Sequence, residues 1–146
     1  MVIKQISVFV ENRPGTLAEV LAVLKEHGIN IRALSVADTA DFGILRLIVK
    51  EPEKVERILR GANLTVKMTP VITMKVGDTP GGLLEQVQKL SDSGINVEYV
   101  YAFAATNGAE ARVVLKVDDP ERALRLLQGE GQPERIETAD GPQFYW

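Results

Sequence analysis

Two stretches of the sequence place charged or amide side chains beside a proline and one or two glycines, directly before an apolar helix pattern. They read Asn12-Arg13-Pro14-Gly15-Thr16-Leu17 and Asp78-Thr79-Pro80-Gly81-Gly82-Leu83. The first backbone N–H groups of a helix have no partner within the helix and carry partial positive charge, so they suit a carboxylate. Glycine also lets the backbone approach a ligand closely. The pattern therefore predicts a small-anion site that is present twice.

The side chains of the two stretches differ. Asn12 can donate and accept hydrogen bonds, whereas Asp78 only accepts and suits an ammonium group. Arg13 adds a cation to the first stretch alone. Together these groups fit a zwitterion, and the difference predicts one occupied site or two sites with different preferences. The residues leave a plainer alternative open, in which Pro-Gly forms a turn and the Asn or Asp caps a helix with no ligand.

Composition excludes several kinds of chemistry. The chain has 146 residues, no Cys, one His and a formal net charge of −3. Without Cys there is no thiol nucleophile, Cys-ligated zinc or disulfide, and one His cannot build a His-rich metal site. A mildly acidic chain lacks the basic stripe of a nucleic-acid binder. We expect no enzyme activity, no metal, no cofactor and no nucleic-acid partner.

The N-terminal residues lack the cleavage pattern of a signal peptide, and no run approaches the ~18 apolar residues that cross a bilayer. We therefore expect a cytoplasmic protein with no membrane partner.

An internal repeat organises the whole chain. Residues 10–31 match residues 76–97 at an offset of 66, which pairs Pro14 with Pro80 and Gly28 with Gly94. Further on, Pro52 pairs with Pro120 at an offset of 68. Two residues are therefore added in the second repeat, and we expect them within Ala104–Glu110, at the hairpin dipeptide Asn107-Gly108.

Each repeat predicts the element order β-α-β-β-α-β. Pro14 is expected in a first helical turn, and Gly28 and Gly94 at helix ends. The predicted strands are Ile3–Val10, Ile29–Ala37, Gly43–Lys50 and Leu64–Met68, then Val71–Val76, Asn96–Phe103, Ala111–Val117 and Arg135–Thr138. This order predicts an α+β fold of two tandem ferredoxin-like βαββαβ units, packed together and joined at Thr69-Pro70. The aromatic tail Phe144-Tyr145-Trp146 is expected to pack onto the protein.

Three aromatic residues, Tyr99, Tyr101 and Phe103, share one strand face, and their counterparts in the first repeat are small. The opposite face holds Val100 and Ala102, matched by Leu34 and Val36, and is expected to pack against helices. The aromatic row is interpreted as internal packing or a dimer contact, with a ligand-pocket wall as the alternative. An exposed sheet face or edge would favour a homodimer or larger homo-oligomer.

The paired Pro-Gly-x-Leu entry and Gly-Ile-Asn exit resemble the ACT domain family, whose members are small ferredoxin-like regulatory modules that often bind amino acids. The resemblance spans the chain as two copies, residues 1–69 and 70–146. It implies ligand binding at the loop between first strand and first helix, together with the start of the second strand. Carried over by position, the implied ligand-binding residues are Asn12, Arg13, Pro14, Gly15, Thr16, Leu17, Asn30 and Ile31 in the first copy, and Asp78, Thr79, Gly81, Gly82, Leu83, Asn96 and Val97 in the second.

The resemblance predicts a non-catalytic regulatory protein that binds a small ligand, most simply an amino acid, where ACT modules meet, and that acts on a partner enzyme. The alternative is a regulatory subunit that works by protein contact without a ligand of its own. Regulatory subunits of acetolactate synthase begin with an entry similar to Val10-Glu11-Asn12, although their second half does not repeat the Pro-Gly-x-Leu pattern.

Overall fold

The computed structural model of the chain describes residues 1–103 and 110–127. The predicted turn at Asn107-Gly108, the predicted strand Arg135–Thr138 and the aromatic tail lie outside these residues. The elements are β1 (Val2–Glu11), α1 (Thr16–Glu26), β2 (Ala33–Asp38), β3 (Phe42–Ile48), α2 (Pro52–Gly61), β4 (Thr65–Gly77), α3 (Gly82–Asp92), β5 (Val97–Ala102), β6 (Glu110–Val117) and α4 (Pro120–Leu127).

The chain divides into two units between Thr69 and Pro70. Among the residues that the structure describes, the first unit holds Lys4–Thr69, and the second holds Met1–Ile3 with the described residues from Pro70 to Leu127. The strands β1 and β4 therefore each contribute residues to both units.

The first unit is a βαββαβ fold with strand order β2-β3-β1-β4. Antiparallel pairing sets Val8 beside Leu45 and Val36 beside Leu45. Alternate residues of β1 and β3 point to one face, where both helices cover them. The core of this unit comprises Ile6, Val8, Val20, Leu24, Leu45, Leu47, Val55 and Leu59, all at most 1% exposed. The predicted ferredoxin-like fold is thereby confirmed.

The described part of the second unit has the element order βαββα and the strand order β4-β6-β5. Antiparallel pairing sets Ile72 beside Leu115 and Tyr101 beside Val114. Met1 belongs to the same unit, since its carbonyl accepts a hydrogen bond of 3.2 Å from the backbone N–H of Thr73. Helices α3 and α4 contribute Leu90 and Ala123 to the core.

The strand β4 differs from the predicted pair of strands. Leu64–Met68 and Val71–Val76 were expected to be separate, with Thr69-Pro70 as a linker, but Thr65–Gly77 is one strand of 13 residues. The fixed φ of proline lies within the β region, so Pro70 continues an extended backbone and gives up only its N–H. Thr69-Pro70 is therefore part of a continuous strand and not an irregular linker, although the boundary between the two units does fall between these residues.

The first helix of each unit, α1 in the first and α3 in the second, ends as predicted. Gly28 and Gly94 adopt φ of +66° and +75°, and the following residues, Ile29 and Ile95, donate to Leu24 and Leu90 at 2.9 Å. This six-to-one bond with a left-handed glycine is the Schellman motif. Because Ile29 is used to close the helix, β2 begins at Ala33 rather than at Ile29.

The outer strands of the sheet, β2 and β5, are more exposed to solvent than the sequence predicted. Val36 and Val100 were expected against helices, together with Leu34 and Ala102. Leu34 does pack against the first core, but Val36, Val100 and Ala102 are exposed. The strands β2 and β5 lie at the outer ends of the strand order, where the helices do not cover every position. Of the helices described, none is long and apolar enough to cross a membrane.

Candidate functional site

The two proline–glycine stretches are tight turns that precede the helices. The backbone N–H of Thr16 donates to the carbonyl of Arg13 at 3.4 Å, and that of Gly82 donates to Thr79 at 3.0 Å. Gly15 has φ 91° and ψ −19°, and Gly81 has φ 82° and ψ 0°. Proline followed by a glycine with these angles is a type II turn. Pro14 thus precedes the helix and does not occupy its first turn, which corrects the sequence-based prediction.

Thr16 closes the first loop. Its hydroxyl lies 2.6 Å from the carbonyl oxygen of Glu11 and 3.0 Å from that of Arg13, and the residue is buried. The hydroxyl therefore adds a side-chain donor to two carbonyls that also accept a backbone N–H, from Arg13 and from Thr16. Thr16 is a structural residue of this loop, and its side chain has no spare hydrogen for a ligand.

The β2–β3 hairpin forms the next wall of the first loop. The backbone N–H of Asn12 donates to Asp41 at 3.0 Å, and its side-chain amide donates to the carbonyl of Thr39 at 3.4 Å. The predicted strands Ile29–Ala37 and Gly43–Lys50 imply a turn between them, but the sequence gives no sign that this turn contacts Asn12. Contacts between loops distant in the chain have no local sequence signal.

Arg13 supplies the cation of the first loop. Its Nε donates to Glu11 Oε2 at 2.6 Å, and both side chains are more than half exposed. This hydrogen bond, followed by the charge of Glu11, raises the pKa of Arg13 above its ordinary value. The guanidinium group keeps further N–H donors that can meet a carboxylate.

The second loop has the same backbone but different side chains. Gly82 replaces Thr16, and a Cβ at Gly82 would overlap the carbonyl oxygen of Gly77. Asp78 is exposed and makes no hydrogen bond or ion pair with the part of the chain that the structure describes. The carboxylate of Asp78 is therefore accessible to the ammonium group of a ligand. The matching residue of the first loop, Asn12, has no carboxylate.

Both helix starts keep free backbone donors. The first bond inside each helix comes from Glu19 to Gly15 and from Glu85 to Gly81, each at 3.0 Å. Ahead of them, the N–H groups of residues 17, 18, 83 and 84 make no hydrogen bond within residues 1–103 and 110–127. Leu17 and Leu83 are each 37% exposed beside these donors. Each loop thus presents anion donors next to an apolar side chain.

The start of the second strand lies away from the loop within each unit. Ala33 pairs with Ile48, whereas Glu11 pairs with Phe42, six residues away along β3. This separation is roughly 20 Å at ~3.3 Å per residue. Asn30 and Ile31 precede Ala33, so they do not face the Asn12–Leu17 loop of their own unit. The expectation that they would is corrected for the first unit.

The second unit shows the same separation. Val97 pairs with Val117, while Gly77 at the loop pairs with Glu110. The backbone N–H of Asn96 donates to Asp118 at 3.1 Å, which ties it to the end of β6. Ile31 and Val97 both contribute to hydrophobic cores. Ile31 and Val97 therefore contribute to packing. Within each unit, the residues of the strand–helix loop stay as the candidates for ligand binding.

The aromatic row is partly ordered by stacking. The rings of Tyr99 and Tyr101 lie 6.4 Å apart at 25°, and both residues are half-buried. Tyr101 pairs with Val114, whose side chain faces away from the helices.

Among the residues that the structure describes, no cluster of His, Asp and Glu could hold a metal ion.

Comparison with known proteins identifies the family. Residues 1–130 match the family model described as an ACT domain pair. A solved structure from Bacteroides thetaiotaomicron is 38% identical with a TM-score of 0.82, covering 88% of each chain. The ligand-free regulatory subunit of aspartate kinase from Thermus thermophilus has a TM-score of 0.64 at 21% identity, covering 88% of this chain and 95% of that one, and supports the fold.

Curated relatives include acetolactate synthase small subunits. The subunit from Mycolicibacterium smegmatis is 25% identical over 139 residues, covering 91% of this chain and 76% of that protein. The subunit from Mycobacterium avium is 26% identical over 100 residues, and the match spans 66% of this chain and only 60% of that relative's length. The first unit has the order βαββαβ, the described part of the second has the order βαββα, and the family model covers residues 1–130, so the chain belongs to the ACT domain pair family.

Proposed function

We propose that this chain is a non-catalytic regulatory protein that binds a small amino acid at its strand–helix loops. The observation that carries the proposal is the pair of helix starts with free N–H donors, each beside a charged side chain and a partly exposed leucine. The N–H groups and Arg13 suit a carboxylate, Asp78 suits an ammonium group, and the leucines suit an apolar side chain.

The charges of the loops make the two sites unequal. The first loop presents a cation already paired with Glu11, and the second presents Asp78, a carboxylate with no hydrogen bond or ion pair to the described residues. A zwitterion needs both signs of charge, so a site completed by the matching loop of a second module would serve it best. Ligand binding would then stabilise one arrangement of modules, which a partner enzyme senses.

A thermal-shift screen of the twenty amino acids, followed by calorimetric titration of any that stabilise the protein, tests this proposal. We expect Asp78→Asn to weaken binding about tenfold or more, since a hydrogen bond to a charged group contributes ~1.5–3 kcal/mol. Arg13→Gln should weaken binding in the same direction. Lys25→Gln, which removes an exposed cation at the opposite end of α1, is the matched control and should bind as the parent does.

A second function rests on the acetolactate synthase small subunits among the relatives. In this alternative the chain regulates a metabolic enzyme by protein contact and has no ligand. Absence of stabilisation by every amino acid, together with a stoichiometric complex with a metabolic enzyme in the same cells, would support this alternative and contradict amino-acid sensing. Both functions place the protein with soluble metabolic enzymes, and a cytoplasmic location is part of the proposal.

A further inference from the structure

The outer strand β2 directs one row of backbone groups away from its neighbour β3. The backbone N–H of Thr39 donates to the carbonyl of Phe42 at 2.7 Å, so Thr39 points toward β3. Residues of an antiparallel pair point alternately toward the neighbouring strand and away from it. The N–H and C=O groups of Leu34, Val36 and Asp38 therefore point outward, and they make no hydrogen bond on that side within the part of the chain that the structure describes.

The side chains of β2 leave this edge open to another strand. The strand Ala33–Asp38 contains neither Lys nor Pro, and its pairing with β3 runs without a register shift. Val36 is 50% exposed, and Asp38 at the end of the strand is exposed as well. Charges, prolines and bulges are the usual means of preventing strand addition at an edge, so an edge without them is a template for pairing.

The other outer strand, β5, has two of these protective features. Its pairing with β6 shifts register between Val97 and Tyr99. Glu98 lies at that irregularity, and its Oε2 is 2.7 Å from Lys116 Nζ. A bulge and a charged side chain both hinder the addition of a further strand. Of the two outer strands, β2 is therefore the one suited to pairing.

The sequence of β2 is complementary to itself in one antiparallel register. When Ser35 lies opposite Ser35 of a second copy, Leu34 lies opposite the second copy's Val36. In the same register Arg32 lies opposite the second copy's Asp38. Apolar and oppositely charged cross-strand pairs both stabilise a sheet, and two-fold symmetry repeats each pair. The adjacent registers that keep the outward groups facing each other set Leu34 against Asp38, or Arg32 against Val36, and lose the charge match.

We propose that β2 is a homodimer interface, in which it pairs antiparallel with β2 of a second copy around Ser35. Leu34 and Val36 exchange backbone hydrogen bonds with their counterparts, and the exposed side chain of Val36 becomes covered. The sheets of the two first units then form one continuous sheet. This pairing needs no amino acid, so it does not rest on the proposed function.

Disulfide formation tests the register because the chain has no Cys. In Ser35→Cys the two thiols would face each other across a non-hydrogen-bonded pair, where Cα atoms lie ~4.5 Å apart, within disulfide range. Ala37→Cys, on the same strand and face, is the matched control, since its two copies would lie about 13 Å apart at ~3.3 Å per residue. Under mild oxidation without added amino acids, we expect Ser35→Cys to form an intermolecular disulfide about tenfold or more faster than Ala37→Cys.

Variants of Val36 test the interface without introducing Cys. Val36→Pro removes a backbone N–H that points away from β3, so the pairing of β2 with β3 is kept. Val36→Lys places a charge at the same edge and does not depend on the strand accepting a proline. Val100→Lys, at a 40% exposed position of β5, is the matched control. In sedimentation equilibrium we expect a dimeric parent, a dissociation constant about tenfold or more higher in both Val36 variants, and no change in Val100→Lys.

Three results would overturn the proposal. The first is a parent protein that stays monomeric at every concentration tested, including one that is found only in a complex with a different protein. The second is a dimer that persists in both Val36→Pro and Val36→Lys, or that is weakened only by Val100→Lys. The third is equal disulfide formation by Ser35→Cys and Ala37→Cys. If Val36→Pro fails to fold by circular dichroism, Val36→Lys and the disulfide pair decide.

Discussion

At the scale of single residues, the position occupied by Thr16 in the first loop and Gly82 in the second determines how each loop is closed. Thr16 has a buried hydroxyl on the carbonyl of Glu11, and at the matching position Gly82 leaves the carbonyl of Gly77 in the space that a Cβ would occupy. The same backbone turn is therefore closed by a side chain in one unit and by direct backbone approach in the other. A repeat with equal backbones can thus present unequal binding surfaces.

Gly82→Ala tests this close approach. The new Cβ would meet backbone, which cannot rotate away, so we expect the folded state to lose ~1–3 kcal/mol, typical of overpacking. Gly61→Ala is the control: its Cβ would meet open space at the end of α2, and alanine should stabilise by up to ~1 kcal/mol. Urea unfolding measures both variants, and a neutral Gly82→Ala would contradict the steric argument.

At the scale of elements, an exposed ion pair joins β1 to α2. Lys4 Nζ lies 2.7 Å from Glu53 Oε1 with both side chains more than half exposed. The hydrogen bond that Lys4 donates to Glu53 is the main reason why the pKa of Glu53 is lowered. The same hydrogen bond is the main reason why the pKa of Lys4 is raised. Surface pairs of this kind contribute little to stability.

The lowered pKa of Glu53 determines how the contribution of this ion pair to stability changes with pH. The pKa of Glu53 is lower in the folded state than in the unfolded state, so its contribution is complete above the unfolded value and is lost as pH falls through the folded value. We expect Glu53→Gln to unfold at slightly lower urea than the parent at about pH 7, and the two midpoints to converge in acid below about pH 4. A gap that widens in acid would contradict the assignment.

The elements also show what the sequence could and could not predict. Glycines at helix ends were predictable because their left-handed backbone is a local requirement, and the 66-residue offset carried the prediction from Gly28 to Gly94. The single strand β4 was not predictable, because proline usually interrupts a strand and only tertiary pairing makes Thr69-Pro70 extended.

The candidate site was predictable in its loops and not in its surroundings. The type II turns follow from the Pro-Gly residues themselves. The contact of Asn12 with Thr39 and Asp41, and the distance of Asn30 from the loop, depend on strand register. Register is set by long-range pairing, so local spacing could not reveal either feature.

At the scale of the whole molecule, two strands have residues in both units. Residues 1–69 and 70–146 were expected as two domains, and we propose that they unfold as one cooperative system. The reason is that β1 and β4 each supply residues to both units, so melting either strand removes structure from both. Small units of this size also bury little core alone.

Leu59→Ala, a fully buried position in the first unit, tests this coupling. The substitution should cost ~2–5 kcal/mol, typical for a core leucine. We expect calorimetry to show one transition at a lower temperature, and native-state hydrogen exchange of β6 amides, which belong to the second unit, to accelerate together with those of β3. Leu90→Ala, a fully buried position in α3 of the second unit, should accelerate β3 in return. Two separable transitions, or exchange that changes only in the mutated unit, would show that the repeats are independent domains.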